Sequence, residues 1–349
     1  KSPSQQETGR DGTVWVMQAS GRIAGRLAQQ NVLKDQPGPT WYARRHIISD
    51  SPVSSLRLII DERMLRHIQR CTVAEARIQL QQDDWSVSLE ELDAFIGIMY
   101  ARGACGAKGL SVKSLWDSDW GIAFCQKAMA RNRSLGIMKF LRFDMKSTRS
   151  TRLQTDKFAL ASEVWNRFVS YSQQCYIPAE YITVDEQLFP SKTRCRWTQY
   201  MANKRDKFGL KFWCAVDVNS KYLINAFPYL GKDDTRPADQ SLGNYVVSRL
   251  LQPYVHRGRN VTTDNFFTSL KLAKELKEQK TSIVGTVNRA RRELSASASD
   301  TRPERYASTV WKHDAMTLTV YSLRRMWCCS VLCKATLILP ITRRKLQRQ

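Results

Sequence analysis

Two aspartates stand directly after short runs of residues that are typical of β-strands. Asp185 follows Tyr-Ile-Thr-Val, and Asp264 follows Asn-Val-Thr-Thr. β-Branched and aromatic residues favour strands, so each acid is predicted to lie near a strand end. Ligand sites in mixed α/β sheets form beyond the strand ends, where the loops diverge. If the two strands are neighbours, both carboxylates face one pocket.

Paired carboxylates are hard oxygen ligands that suit Mg²⁺ or Mn²⁺. A metal ion held by them can promote phosphoryl transfer. Acids near strand ends also cap turns or pair with lysine, and we interpret Asp217, which precedes a predicted hairpin turn, in this structural way. Glu186 points to the opposite face if its strand continues, so it is the weaker candidate ligand.

The chain is strongly basic. Its 349 residues include 55 Lys and Arg against 32 Asp and Glu, which gives a net charge of +23. Such a balance predicts a polyanionic partner, most simply nucleic acid, or an anionic membrane surface. Because no apolar run reaches ~18 residues, we expect no membrane-spanning segment.

Cysteine usage favours a reducing compartment. Six of the nine cysteines stand singly among apolar residues, as buried reduced thiols do, and no secretory signal is evident. The cluster Cys-Cys-Ser-Val-Leu-Cys lacks the second ligand pair that a zinc site needs. We therefore expect the nucleus or the cytosol.

The elements that must position the two aspartates change in character along the chain. Residues 1–55 are rich in polar residues, Gly and Pro and are predicted to be mostly disordered. Residues 56–178 show helical periodicity, with Ser88 as the cap of one helix. Residues 179–321 read as β-β-β-α-β-α-β, beginning with the strand that carries Asp185. This order predicts a mixed α/β fold.

Two basic clusters flank the predicted strands. Cations interleaved with aromatic residues suit contact with phosphates and stacking on unpaired bases, although each of these residues is equally explained as part of a solvated basic face. The candidate DNA-binding residues are Lys192, Arg194, Arg196, Lys204, Lys207 and Lys211 in the first cluster and Arg289, Arg291 and Arg292 in the second.

Several blocks together resemble the piggyBac family of transposases and their domesticated derivatives. These blocks are ITVDEQLFPSKTRCRWTQYMANKRDKFGLKFW, YLINAFPYLGKDD, VTTDNFFTSLKLAKELKEQKTSIVGTVNRARREL and the upstream ELDAFIGIMYARG and MARNRSLGIMKFLRFD. The resemblance runs in order from about residue 56 to about residue 320.

The resemblance implies an RNase H-like catalytic core, preceded by an α-helical dimerisation and DNA-binding region, with an insertion beginning near residue 288. It implies cut-and-paste transposition in the nucleus, with transposon ends and target DNA as partners. It also implies a homodimer and a Mg²⁺ or Mn²⁺ site of three aspartates, of which Asp185 and Asp264 match the first two.

Departures from the family pattern bear on activity. Thr193 and Arg205 stand where the family usually has Gly and Pro. The downstream Gly-Val-Asp block with the third aspartate is absent, as is the cysteine-rich zinc module that follows it. Asp314 falls too early and is interpreted as a hairpin-turn residue. We therefore expect strand cleavage and joining to be impaired.

Residues 322–349 look aberrant. They contain seven Lys and Arg and no acid. The codons for Met-Trp-Cys-Cys, read one frame away, encode Val-Val-Leu after a possible Asn, which is text that the family carries here. We hypothesise a frameshift or a misread splice site.

Two function classes stay open. The chain is either a transposase or its remnant, acting through Asp185 and Asp264, or a domesticated, non-catalytic DNA-binding protein. A general metal-dependent nuclease fits less well, because the helical blocks match the transposase family too.

Overall fold

The computed structural model describes residues 6–18, 32–193, 195–232, 235–299, 308–322 and 327–332. The chain divides into two compact units. One comprises Pro39–Tyr176, and the other combines Lys1–Gly38 with Ile177–Gln349. Within the described ranges, no helix is long and apolar enough to cross a bilayer.

The first unit is helical, as the periodicity predicts. Its helices are α1 (Trp41–His46), α2 (Pro52–Arg57), α3 (Glu62–Leu80), α4 (Leu89–Ala104), α5 (Val112–Leu115), α6 (Ala123–Ala128), α7 (Arg131–Phe140), α8 (Arg149–Arg152) and α9 (Ser162–Cys175). Ser88 caps α4 as predicted. The Glu91 amide donates to Ser88 Oγ at 3.1 Å, and the Ser88 amide donates to Glu91 Oε2 at 3.0 Å.

Apolar side chains and two buried acids hold the helical unit together. Met64, Leu92 and Ile137 lie in one buried apolar cluster. Asp144 is almost fully buried, and its carboxylate accepts from Arg149 Nη2 and Arg152 Nη2 at 2.7 Å. A buried carboxylate needs such partners, because desolvation without them would be costly.

The second unit is built on a sheet. Its described elements are β1 (Gln6–Thr8), β2 (Val14–Met17), β5 (Tyr181–Pro190), β6 (Thr198–Tyr200), β7 (Phe208–Asp217), β8 (Leu223–Pro228), α10 (Leu242–Leu251), β9 (Asn260–Thr263), α11 (Leu270–Glu278), β10 (Ser282–Thr286), α12 (Ala296–Ser299), β11 (Ser308–His313), β12 (Met316–Ser322) and β13 (Trp327–Leu332). The short strands β3 (Gly38–Pro39) and β4 (Tyr176–Ile177) lie where the chain passes from one unit to the other.

The order of the described strands across the sheet is β1-β2-β11-β12-β13-β10-β9-β5-β7-β6, with β8 also beside β7. Strands β5, β9 and β10 run parallel to one another, whereas β7 and β8 form the predicted antiparallel hairpin. Helices α10 and α11 follow the hairpin and β9, respectively. The predicted mixed α/β fold is therefore confirmed, and the predicted strands and helices follow in the predicted order, with the additional short strand β6 between β5 and β7.

The N-terminal segment differs from the prediction of disorder over residues 1–55. Strands β1 and β2 pair with each other, and β2 joins the sheet beside β11. The cause is Trp15, which is fully buried and donates its indole Nε1–H to Glu293 O at 2.7 Å. Burial of one large aromatic side chain outweighs the polar composition of the residues around it.

The region expected to be aberrant also contributes to the sheet. Strand β13 pairs antiparallel with both β12 and β10. Strand ladders join backbone groups, so a β-prone run can fill this place whatever its reading frame. Asp314 lies in the β11–β12 turn with φ 51°, as its interpretation as a turn residue predicts.

Candidate metal centre

The two aspartates lie side by side on neighbouring parallel strands. The register of β5 and β9 pairs Thr183 with Thr262 and Val184 with Thr263. Asp185 and Asp264 are the next residues along these two stretches of the chain. The strands that carry the two acids are therefore neighbours, as the sequence reasoning required.

Asp264 is fixed by the tight turn between β9 and α11. Its Oδ1 accepts from the Phe266 amide at 3.0 Å, and its backbone carbonyl accepts from the Thr268 amide at 3.1 Å and from Thr268 Oγ1 at 2.7 Å. Gly285 on β10 makes room for this turn. A Cβ there would lie 2.2 Å from Thr268 Oγ1 and 2.7 Å from Thr263 O.

Asp185 lies where β5 continues past the end of β9. Its Oδ1 accepts from the Glu186 amide at 2.7 Å. Burial raises the pKa of the Asp185 carboxyl, and the negative charges of Glu186 and Asp264 add to the rise. The Glu186 amide and the charge of Lys204 oppose it. The residue as a whole remains exposed to solvent, so the site is open on one side.

Glu186 joins the two aspartates, contrary to our expectation that it faces away. Carboxylate oxygens of Asp185, Glu186 and Asp264 all lie within 4.8 Å of one another. Glu186 lies beside Asp185 on β5, and its side chain is one methylene longer, so its carboxylate reaches the cluster. Its Oε1 also contacts Lys204 Nζ at 3.3 Å.

The donor set fits a divalent cation. Three carboxylates offer hard oxygen atoms of the kind that Mg²⁺ and Mn²⁺ prefer. Burial is the main cause of the raised pKa of Asp185, and repulsion by the charges of Glu186 and Asp264 adds to it. A bound cation would relieve this repulsion. The side chains present therefore suit the divalent-metal site that the resemblance implies, and Asp185 and Asp264 match two of its three aspartates.

Two side chains on β7 border the carboxylates. Cys214 is opposite Asp185 in the strand register, and burial followed by the charge of Asp185 raises the pKa of its thiol to about 12. Lys211 is half-buried, and burial lowers the pKa of its amine while the charges of the three carboxylates oppose that shift. Lys211 is one of the predicted DNA-binding residues, but the sequence did not predict that it lies near the carboxylates.

The other predicted DNA-binding residues do not form one surface. Lys192 and Arg196 line a separate cavity with Phe208, whereas Lys204 contacts Glu186. Lys207 is exposed in the loop before β7, and Arg194 lies outside the described residues.

The second cluster, Arg289, Arg291 and Arg292, follows β10. Arg291 and Arg292 line a groove beside α11, together with Lys271 and Lys274 and with acidic residues. The basic residues thus occupy several places on the sheet unit, and acids share one of them.

Asp217 has the structural role that its position before a turn predicts. It is fully buried, and its carboxylate accepts from the Ala179 amide at 2.9 Å, the Ser220 amide at 2.7 Å and Ser220 Oγ at 2.6 Å. These bonds occupy both oxygens and close the β7–β8 turn, so Asp217 is not available to the metal centre.

Comparison with known proteins agrees with this geometry. A sequence model of the family described as Transposase IS4 matches residues 51–347. The match begins close to residue 56, where the family-like motifs begin. It continues past residue 320, where those motifs end, to residue 347.

Two human proteins are similar in sequence. The chain is 25% identical to PiggyBac transposable element-derived protein 3 over 208 aligned residues. The aligned segment covers 57% of this chain and 34% of that protein. It is equally similar to the chimeric ERCC6-PGBD3 protein, of which it covers 19%. The chain thus spans about a third or less of these relatives.

A solved structure is similar throughout most of the chain. It is the cryo-EM structure of a piggyBac transposase synaptic complex with hairpin DNA, with a TM-score of 0.77 and 30% sequence identity. The similarity covers 86% of this chain and 63% of that one. Together with the family match over most of its length, this shows that the chain belongs to the Transposase IS4 family and is similar to piggyBac transposases.

Proposed function

We propose that the sheet unit binds Mg²⁺ or Mn²⁺ at Asp185 and Asp264 and acts on DNA phosphodiesters in cut-and-paste transposition. The β5–β9 register supports this most directly, because it brings two carboxylates, and with them Glu186, together in a transposase-family chain. The assignment of these residues as ligands is our proposal.

The residues have distinct parts in this proposal. Asp185 and Asp264 hold the cation, and Glu186 supplies a third oxygen within reach. A divalent ion held by these residues would supply the Lewis acidity that phosphoryl transfer needs. Lys204 balances the charge of Glu186 when no cation is bound.

DNA is the proposed substrate. The net charge of +23 favours a polyanion, and the similar piggyBac structure is described as a complex with hairpin DNA. We propose transposon ends and TTAA-containing target DNA as the specific partners, a homodimer as the active state and the nucleus as the location. Light scattering of the full chain tests the homodimer.

Strand cleavage is proposed to be weak. Within the described residues, no acid from a third strand joins the cluster of Asp185, Glu186 and Asp264. Asp185 and Glu186 both belong to β5, and Asp264 follows β9, so two strands supply all three carboxylates. Three carboxylates that reach the cation from different strands would hold it more completely.

A second candidate is a domesticated protein that binds DNA without cutting it. The similarity to a human protein named as derived from a piggyBac transposable element supports it. In this case Asp185 and Asp264 would not be needed for function.

Cleavage of a supercoiled plasmid that carries TTAA sites, with Mg²⁺ or Mn²⁺, distinguishes the two. Asp185→Asn and Asp264→Asn are the test variants. Asp314→Asn is the matched control, because it removes one charge from an exposed turn where Asn also accepts a positive φ.

The transposase proposal predicts slow nicking that both test variants abolish and the control retains. Absence of nicking with intact DNA binding supports the domesticated binder. Nicking that is independent of Asp185 and Asp264 overturns the proposed site. Salt-dependent DNA binding should survive in all variants, because backbone contacts do not need these carboxylates.

A further inference from the structure

The ammonium group of Lys211 lies against aromatic rings. Its Nζ is 4.0 Å from the centre of the Trp213 ring, 5.6 Å from that of Phe266 and 6.0 Å from that of Tyr229. Trp213 is almost fully buried and stacks on Phe266 with ring centres 5.7 Å apart and planes 14° apart. The Trp213 ring is held by packing, so it restrains a cation placed over its face.

This aromatic box adjoins the metal centre. Phe266 is two residues beyond Asp264 and donates its amide to Asp264 Oδ1. Trp213 is opposite Glu186 in the β5–β7 register. One side of the box is thus part of the turn that holds a proposed ligand, and another side belongs to the strand beside the carboxylates.

Lys211 nevertheless makes no ion pair with these acids in the described part of the chain. Within that part, the cation that contacts Glu186 is Lys204. An ammonium has three N–H donors, and ring faces attract it without accepting conventional hydrogen bonds from all three. Lys211 therefore keeps donors for an anion, beside a site that we propose to act on a phosphodiester.

A phosphodiester has two non-bridging oxygens that carry its charge. When one of them lies near a cation held by the carboxylates, the other needs a second positive group. Lys211 is suited to this because its Nζ lies 4.0 Å from the centre of the ring of Trp213, which is almost fully buried. A flexible surface lysine would lose more side-chain entropy on binding.

We propose that Lys211 binds a non-bridging oxygen of the phosphate group that occupies the carboxylate site. The location of the substrate rests on the proposed function, whereas phosphate binding by Lys211 is measurable by itself. The competing explanation is that Lys211 only neutralises the carboxylates and packs on the rings.

The first test uses the full chain, Mn²⁺ and inorganic phosphate, followed by broadening of the ³¹P resonance. Lys211→Met should weaken phosphate binding by about tenfold, because a charge-assisted hydrogen bond is lost. Lys211→Arg should recover most of that affinity. Mn²⁺ affinity without phosphate should not fall in Lys211→Met, since removal of a nearby positive charge cannot weaken cation binding electrostatically, and it should be unchanged in Lys211→Arg, which keeps the charge.

Lys221→Met is the charge-matched control. Lys221 lies in the β7–β8 turn, where its Nζ contacts Val218 O, and it has no place in the proposed site. It should bind phosphate as the parent chain does. If Lys211→Met does not fold, Phe266→Leu keeps the charge but removes one exposed ring of the box, and it should also weaken phosphate binding.

The second test locates the contact on DNA. A 30-bp duplex with a central TTAA carries one uncharged methylphosphonate, moved along the strand one position at a time. At one position the parent chain should lose about tenfold in affinity and Lys211→Met should lose nothing further.

Equal phosphate binding by Lys211→Met and the parent chain overturns the inference, as does absence of Mn²⁺-dependent phosphate binding by the parent chain. Lys211-dependent phosphate binding without any DNA binding has a different meaning. It refutes the proposed function and leaves the phosphate contact standing.

Discussion

Replacement of Asp185 by Asn should stabilise the metal-free protein while weakening metal binding. Asn keeps an oxygen that can accept from the Glu186 amide, so the local hydrogen bond survives. The negative charge, however, disappears from a cluster whose carboxylates lie within 4.8 Å of one another. Stability and metal affinity should therefore change in opposite directions.

The size of the stability gain follows from Coulomb's law. Two unit charges about 4.8 Å apart repel by roughly 0.9 kcal/mol in a water-like medium and by roughly 3.5 kcal/mol at an effective dielectric constant of 20. Asp185 and Asp264 are exposed, so solvent screening favours the lower figure. We expect a gain of about 1 kcal/mol at pH 7, which corresponds to about 2–4 °C in Tm for a unit of this size.

The gain should depend on pH with a definite sign. The pKa of Asp185 is raised in the folded protein, so the folded state binds its proton more tightly than the unfolded state does. Protonation therefore stabilises the fold at low pH, and that stabilisation is lost as pH rises from the ordinary value of 3.8 through the raised one. The gain in stability from Asp185→Asn should be complete at a pH above the raised pKa of Asp185 and should vanish below pH 3.8.

Thermal unfolding with EDTA and with Mn²⁺ is the assay. A ligand at 100 times its Kd adds about 2.7 kcal/mol, and a 100-fold weaker site adds only about 0.4 kcal/mol at the same concentration. The parent chain should therefore be the more stable protein in Mn²⁺ and the less stable one in EDTA, with Asp314→Asn behaving like the parent in both. A lower Tm for Asp185→Asn in EDTA at pH 7, or an undiminished Mn²⁺ shift, would refute this reasoning.

Three further predictions concern the support of the site and the sheet. Gly285→Ala should cost about 1–3 kcal/mol in urea unfolding and weaken Mn²⁺ binding, because the new methyl displaces Thr268 and the turn that holds the aspartate; unchanged Mn²⁺ affinity would contradict it. Lys204→Met should strengthen Mn²⁺ binding and Glu186→Gln should weaken it, as calorimetry can measure, since lysine and metal compete for the same carboxylate. Trp15→Ala should destabilise the sheet unit by about 3–5 kcal/mol, and a loss below about 1 kcal/mol would show that the N-terminal strands are dispensable.

Local chemistry was enough to predict most of the elements around the site. The β-branched runs before Asp185 and Asp264, the turn between β7 and β8 and the amphipathic α11 each carry their pattern within a few residues. Capping by Ser88 is local as well, and it was predicted correctly. Strand adjacency is not local, so it entered as a condition that the β5–β9 register then met.

The features that sequence missed depend on long-range packing. Strand alternation predicts that Glu186 faces away from Asp185, but it does not account for the reach of the longer side chain, whose carboxylate lies within 4.8 Å of both aspartates. Trp15 is buried by contacts almost three hundred residues away in the chain, at Glu293. The seat of Lys211 likewise combines side chains from β7, the segment after β8 and the β9–α11 turn.

The pairing of β13 does not test the reading-frame hypothesis, whereas nucleic-acid sequencing does. An apolar run pairs with β12 and β10 through its backbone, so strand formation does not identify the frame. Sequencing of the genomic locus and its transcript should show family-like text in another frame after about residue 322. An intact frame with no such text in either alternative would end the hypothesis.

The parallel pairing of β5 with β9 also determines when the metal centre can first exist during synthesis. About 80 residues separate the two aspartates, so a ribosome needs roughly 4–16 s to pass from one to the other. A crossover of that length forms slowly, because its loop must close before the strands can pair. A nascent chain that ends before Asp264 carries two adjacent acids on one strand and no second strand beside them. The cation site therefore arises only after the sheet unit has folded around its hairpin, which ties any DNA-cutting capacity to completed folding.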